Sequence, residues 1–413
     1  MTTTAQQTPT APPADPGDGT ATAARLRAIT NELADRYLER TGVVKALISC
    51  MLAGQHSLLL GPPGTAKSEL ARDLTGRVHG AQLWEILLSK YTDPKRMFGP
   101  IDVSALMQGT YKQVWDGRAT QADIAFIDEI FKCGPAALNE MLALLNERLY
   151  HPESGGAPIA CPLLTAITAS NELPTGEESA AIYDRLLVRI EVDYLADPSN
   201  FAALIRSASV PASPQATPTT LLLADLQTAV RVHVPRIIVP DPIIGALVSL
   251  RATLRHAGHI ASDRRWKHSV RLLQGAAYLA GRDHVDPADL ELLTHVLWDS
   301  PAERPAIERE VLHLINPDAR EALDIQDGLD QLDAQLNSMK GESRQALAEW
   351  AIKEANNKLD RAGKKLKEML QQSQTAGRST ATLDSVIERH RAVQARVMVE
   401  ALGLDPTMIK SGI

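Results

Sequence analysis

The chain is poor in aromatic residues. Four Phe, five Trp and seven Tyr make up 4% of 413 residues, so its cores have to be filled by Leu, Ile, Val and Ala. Cysteine is equally scarce. Cys50, Cys133 and Cys161 have no Cys-x-x-Cys spacing and fall in apolar or helical contexts, which makes them packed thiols of a reducing compartment rather than metal ligands. Positive charge is not in surplus. The formal net charge of −7 gives no general attraction to nucleic acid or to an anionic membrane, and leaves room only for a local basic pore. No run of about 18 apolar residues is present to span a bilayer. The first twenty residues lack Lys, Arg and any apolar stretch, which excludes a secretory signal. A cytoplasmic protein is the expectation.

What is present is ordinary for a globular chain, with 44% apolar and 23% charged residues, and at this length two or three domains are expected. Residues 1–22, rich in Thr, Ala and Pro, cannot bury enough surface to order themselves and read as a disordered tail. Apolar residues then recur at helical spacing (Leu26, Ile29, Leu33, then Val44, Leu47, Ile48, Leu52), with a break near Thr41 and Gly42. Three short apolar strands follow, "SLLLG", "IAFIDE" and "LLTAITAS", separated by helical stretches. That alternation indicates a parallel α/β sheet, in a domain over 23–206. The Pro, Ala, Ser and Thr of 207–220 mark a linker, and 221–315 is helical throughout, with Asp286–Pro287 as one helix start. In 316–413 the stripe Ile352, Ala355, Leu359, Ala362, Leu366, Met369 and the run Leu383, Val386, Val393, Val397 predict a C-terminal helical hairpin, open to use as an internal bundle or as a coiled coil for a partner.

The stretch "GPPGTAKS", Gly61, Pro62, Pro63, Gly64, Thr65, Ala66, Lys67 and Ser68, follows the first strand and opens a helix. A strand, a glycine-rich turn and a helix aim backbone N–H groups at phosphates, while a lysine reaches the outer two and a hydroxyl binds Mg²⁺. Ala66 stands where glycine is usual. One methyl group is tolerable there if its torsions lie in a region open to other residues without strain. "IAFIDE" adds Asp128, which can hold Mg²⁺ together with Ser68, and Glu129, which can polarise an attacking water. "ASNELP" places Asn171 at the end of the third strand, either to orient that water or as a turn residue.

Taken together, "LLLGPPGTAKS", "IAFIDEIFKCGPAALNEMLALLNER", "TAITASNELP" and "IYDRLLVRI" resemble the MoxR branch of the AAA+ ATPases, and most closely its RavA group, over roughly Leu26 to Asp299. Ala before the lysine is usual in that branch. The resemblance implies an AAA+ core with a five-stranded parallel sheet flanked by helices, an all-α lid, ATP and Mg²⁺ as ligands, and a homo-hexameric ring with ATP between subunits. It implies an ATP-hydrolysing chaperone that remodels a protein client, with a von Willebrand factor A protein as companion; a nucleic-acid motor and a scaffold with little turnover are the alternatives. Arg185 in "YDRLL" matches the arginine finger, ahead of Arg189 and Arg148. Arg265 in "SDRRWK" matches the lid arginine, with Arg264 open because the doublet leaves the register uncertain by one. Residues 101–123 match an inserted hairpin on which Tyr111 and Trp115 either grip a client or pack onto their own helix, and 150–162 resemble a second hairpin. After about Ile315 the chain departs from the RavA group, which carries a further β-rich domain.

Overall fold

The computed structural model describes residues 19–152, 155, 157–174, 176–209, 217–315, 317–339, 341, 343–375 and 380–403. The chain forms two compact units. The first runs through Val248 and from Gly258 to Arg304; the second holds Ser249–Ala257 and the chain from Pro305 on. Most of the expected tail lies outside the described residues, but its last four positions do not. Helix α1 begins at Thr20 (Thr20–Arg36), because Gly19 takes a left-handed turn at φ 73° and its carbonyl accepts from Tyr278 Oη at 2.7 Å. Half of the expected linker is outside them too, and its first residues continue the helix Pro198–Ser209.

Five strands build the core of the first unit: β1 His56–Leu60, β2 Leu83–Leu87, β3 Ile124–Asp128, β4 Thr165–Ser170 and β5 Leu186–Glu191. They lie in the order β2-β3-β4-β1-β5, all parallel. Every residue of β1 is buried, as a near-continuous apolar run demands when helices cover both faces. Its loop therefore emerges in the crevice where the strand order reverses, the place where open α/β sheets bind ligands. Register fixes the neighbours: Leu60 pairs with Ser170 and Ile127 with Thr168, so the ends of β1, β3 and β4 converge.

Helix α2 (Thr41–Leu52) precedes β1 and α3 (Lys67–Gly76) follows it. The lid helix α4 (Asp263–Leu279) packs on α2 at Gly275, where a Cβ would stand 2.8 Å from Ser49 O; only glycine allows that approach. The helix start at Asp286 is present as a capping box with Asp289, but the turns that follow, Pro287–His295, are 3₁₀. Between β2 and β3 the inserted segment closes through an antiparallel bridge, Ile101 to Gln113, with a short helix, Val103–Met107, at its tip. Leu149–Tyr150 pairs with Ile159–Ala160 as the second hairpin. The two are joined where Phe98 stacks on Tyr150 at 4.8 Å and Gln113 Nε2 donates to Tyr150 Oη at 3.0 Å. Trp115 is half-buried against Gly99, whereas Tyr111 is 39% exposed.

The second unit holds the expected hairpin and adds a third helix to it. Pro317–Ser338, Asn356–Thr375 and Ala381–Arg396 contribute to one core, in which Ala322, Leu329, Leu332 and Leu336 meet Ala355, Leu359, Leu366, Met369, Leu383, Val386, Val393 and Val397. The stripes pack internally. Ile352 is not among them: it is 61% exposed, and Ala351 is buried instead. A π turn over Ala351–Ala355 inserts extra rotation and shifts the facing positions by one residue. Leu366→Ala should accordingly cost about 2–5 kcal/mol and Ile352→Ala no more than about 0.5 kcal/mol, read from urea unfolding by far-UV circular dichroism. Equal losses would show that the heptad register, not the shifted one, is correct.

Candidate nucleotide site

The loop after β1 is built by backbone constraint. Gly61, at φ 154°, would place a Cβ 2.1 Å from Val192 O, so no other residue fits against the end of β5. Thr65 Oγ1 donates to Pro62 O at 3.0 Å and closes the turn. Ala66 differs from expectation: it sits at φ 63°, ψ 19°, in the left-handed region that favours glycine and costs an alanine about 1 kcal/mol. Among the described residues the non-glycine positions with positive φ are Glu39, Ala66, Glu129 and Arg148, and two of these are in the loop and the acidic strand end. Strain held at such positions has to be maintained by the surrounding fold. Ala66→Gly relieves this strain but loosens the unfolded chain by a comparable amount, so stability should stay within about 1 kcal/mol. Ala66→Val, β-branched at positive φ, should lose ADP-dependent thermal stabilisation altogether; retained stabilisation would refute the left-handed assignment.

Lys67 is buried and its three protons are shared among Gly61 O (2.6 Å), Pro62 O (2.7 Å) and Asn171 Oδ1 (3.1 Å). Burial lowers its pKa, while the charges of Asp128 and Glu129 oppose that shift. Ser68 Oγ donates to Asp128 Oδ2 at 2.8 Å. Asn171 Nδ2 donates to Glu129 Oε1 at 2.7 Å, so Asn171 bridges the lysine and the glutamate. Lys132 Nζ lies 3.2 Å from the same oxygen, and Glu129 Oε2 is buried with no hydrogen-bond partner among the described residues. An acceptor of that kind fits a base that receives a proton from water. The described residues contain no group of three His, Cys, Asp or Glu able to hold a metal. One hydroxyl and one carboxylate instead suit Mg²⁺, which keeps several waters and takes its remaining oxygens from phosphate.

Sequence reasoning missed the far wall of this site. Glu39 accepts from Ala196 N and Asp197 N at 2.9 Å and from Asn200 Nδ2 at 3.0 Å, and Arg40 donates to Asp193 O. These contacts fasten the segment after β5 to the start of α2, and Tyr194, largely exposed, donates from Oη to Pro63 O at 3.3 Å. An exposed aromatic ring held beside a phosphate loop offers a face for a base. No motif announces it, because the partners come from distant parts of the chain.

The arginines are elsewhere. Arg185 precedes β5, whose Leu186 pairs with His56 at the start of β1, about 13 Å of strand away from the loop. Arg185 Nη1 contacts Asp184 Oδ2 at 3.0 Å. Arg265, expected as the lid arginine, is found here as well: its Nη2 lies 3.6 Å from Asp184 Oδ1 and 2.8 Å from Asp299 Oδ1. It is 5% exposed, whereas Arg264 is only partly buried and donates to Asn146 Oδ1 at 2.5 Å. The two weaker finger candidates are committed to structure. Arg189 is 0% exposed, held by the carbonyls of Tyr183 (2.9 Å) and Trp298 (2.5 Å) and stacked on Tyr183 at 3.6 Å. Arg148 caps its helix through Leu145 O and ties it to Gly54 O. Burial raises the Asp299 carboxyl, but the hydrogen bond from Arg189 and the charge of Arg265 outweigh it and hold the group below its usual value.

Comparison with known proteins agrees with this geometry. Residues 24–229 match the MoxR domain of MoxR-vWA-beta-propeller ternary systems, and residues 242–311 match an AAA lid domain. Two uncharacterised proteins of Methanocaldococcus jannaschii are similar. One is 33% identical over 302 residues, 73% of this chain and 77% of that protein; the other is 31% identical over 316 residues, 76% and 82%. The crystal structure of a candidate ATPase from Cytophaga hutchinsonii shares the fold, with a TM-score of 0.57 at 16% identity over 71% of this chain and 95% of that one. With its core and its lid both matched and its phosphate loop, acidic strand end and Asn171 assembled in one crevice, the chain belongs to the MoxR family of AAA+ ATPases.

Proposed function

We propose that the protein is an ATP-hydrolysing ring motor whose sites lie between subunits and which remodels protein partners, in the manner of the RavA group. The observation that carries this reading is the separation of the machinery. Lys67, Ser68, Asp128, Glu129 and Asn171 gather at the ends of the strands, while Arg185, Arg264 and Arg265 gather at their starts. A single subunit cannot bring both sets to one phosphate. A ring of copies can, because each subunit then presents its arginines to the next.

In this scheme Lys67 exchanges its loop carbonyls for the outer phosphate oxygens, and Glu129, through Oε2, takes the proton of the attacking water that Asn171 helps to orient. Ser68 and Asp128 would hold Mg²⁺, which supplies charge neutralisation on the phosphate oxygens. Arg185, and from the doublet the more accessible Arg264, face the neighbour's γ-phosphate; buried Arg265 supports them. For the client, the tip of the inserted hairpin presents Val103, Leu106, Met107 and Tyr111 to solvent, an apolar patch of the kind that takes protein rather than phosphate backbone. The family match to systems containing a von Willebrand factor A protein supports such a companion, and the cytoplasm suits the three buried thiols.

Turnover per subunit should rise with protein concentration to a plateau and be indifferent to added duplex or single-stranded DNA. A rate independent of concentration down to a dispersed monomer would refute the shared site. Stimulation by DNA that weakens with salt would favour a nucleic-acid motor.

A further inference from the structure

We infer that Asp184 is a positioning residue for the arginines offered to the neighbouring subunit, held in register by Asp299; the inference rests on the shared-site reading above. One carboxylate spans two guanidinium groups: Asp184 Oδ2 lies 3.0 Å from Arg185 Nη1 and Oδ1 lies 3.6 Å from Arg265 Nη2. The same Nη2 donates to Asp299 Oδ1 at 2.8 Å, and that oxygen also accepts from Arg189 Nη1 at 2.7 Å. Charges therefore alternate along Arg189, Asp299, Arg265, Asp184 and Arg185. The first member is immobile. Arg189 belongs to β5, is fully buried, and has its guanidinium saturated by carbonyls and stacked on Tyr183, whose Oη in turn donates to Asp299 O at 2.9 Å. The last member is partly exposed, and Nη1 also donates a 3.5 Å hydrogen bond to Ala181 O.

An isolated ion pair at a surface would orient little. This one ends a chain tied to a rigid strand, so the carboxylate fixes which edge of Arg185 is offered outward. With Nη1 on Asp184, the Nε of Arg185 has no partner among the described residues, and neither have Nε and Nη1 of Arg265. Buried guanidinium donors left unmatched are costly, so the cluster holds more donors than the acceptors around it satisfy. Three arginines against two carboxylates leave the cluster positive, as an anion requires. Because Arg265 belongs to the lid helix and Arg189 to the core sheet, the same chain reports the placement of the lid to the arginine that the neighbour uses.

The test uses the full-length chain at concentrations where wild-type turnover has reached its plateau. Asp184→Asn should lower kcat about tenfold with KM for ATP unchanged, Asp184→Glu should restore most of it, and Asp184→Asn with Arg185→Ala should be no slower than Arg185→Ala alone. Binding of a fluorescent ADP analogue to the subunit's own loop, and the melting temperature, should match wild type in each variant. The proposal is overturned by full kcat in Asp184→Asn, by a change in KM alone, by loss of ADP binding in step with kcat, or by losses that multiply in the double variant. Wild-type turnover in Arg185→Ala would instead overturn the shared-site reading and take this proposal with it.

Discussion

Arg185→Ala should reduce turnover by about 10³ at concentrations that saturate assembly, while the affinity of each subunit for ADP stays at the wild-type value. The reason is distance. Arg185 stands at the start of β5, beside His56, and the loop that would hold its own subunit's nucleotide begins after Leu60 at the other end of β1. On the shared-site proposal, removing the side chain leaves Lys67, Ser68 and Asp128 untouched and deletes only charge that would arrive from a neighbour in the transition state. Arg185→Lys should not rescue, because a point charge lacks the fork that donates to two phosphate oxygens. Steady-state rates paired with ADP titrations check this. A fall in ADP affinity parallel to the fall in rate would place Arg185 at its own site and contradict the geometry.

Glu129→Gln should lower kcat by about 10²–10⁴ and leave ATP bound. Glu129 is held at φ 54°, with Oε1 taken by Asn171 and Lys132 and Oε2 without a partner among the described residues. Its amide analogue keeps the shape and loses the acceptor that removes a proton. Binding should survive, because Lys67, Ser68 and Asp128, the side chains proposed to meet the phosphates and Mg²⁺, are unchanged. ATP retained after gel filtration, with no phosphate released, is the expected result; a variant that hydrolyses at the wild-type rate would remove Glu129 from the role of base.

The parts of this site that were legible in the sequence are those fixed by neighbours along the chain. A glycine loop between a strand and a helix, and two acids at a strand end, carry their own context, so Lys67, Ser68, Asp128 and Glu129 could be named before the fold was known. Asn171 needed the register of β4 against β1, which a sequence only implies. Asp184 and Asp299, separated by most of the lid, meet through Arg265, and Asp299 is tied on to Arg189; no spacing rule reports such a cluster. The lid arginine shows the same limit: the motif located the doublet, but which end of the sheet it faces depended on how the lid packs. In the second unit the seam Ala322, Ile325, Leu329, Leu332, Leu336 steps by 3 and 4 and was readable as a third helix, whereas the exposure of Ile352 follows from a π turn that periodicity cannot foresee.

The central claim is that one site is made by two subunits, and mixing tests it most directly. Lys67→Ala and Arg185→Ala should each be inactive alone, the first for want of a functional phosphate loop and the second for want of the arginine. Mixed in equal amounts, about a quarter of interfaces unite an intact loop from one variant with Arg185 from the other, and turnover should reappear in proportion. A mixture no more active than its components, under conditions where wild-type subunits are shown to exchange, would contradict the shared site.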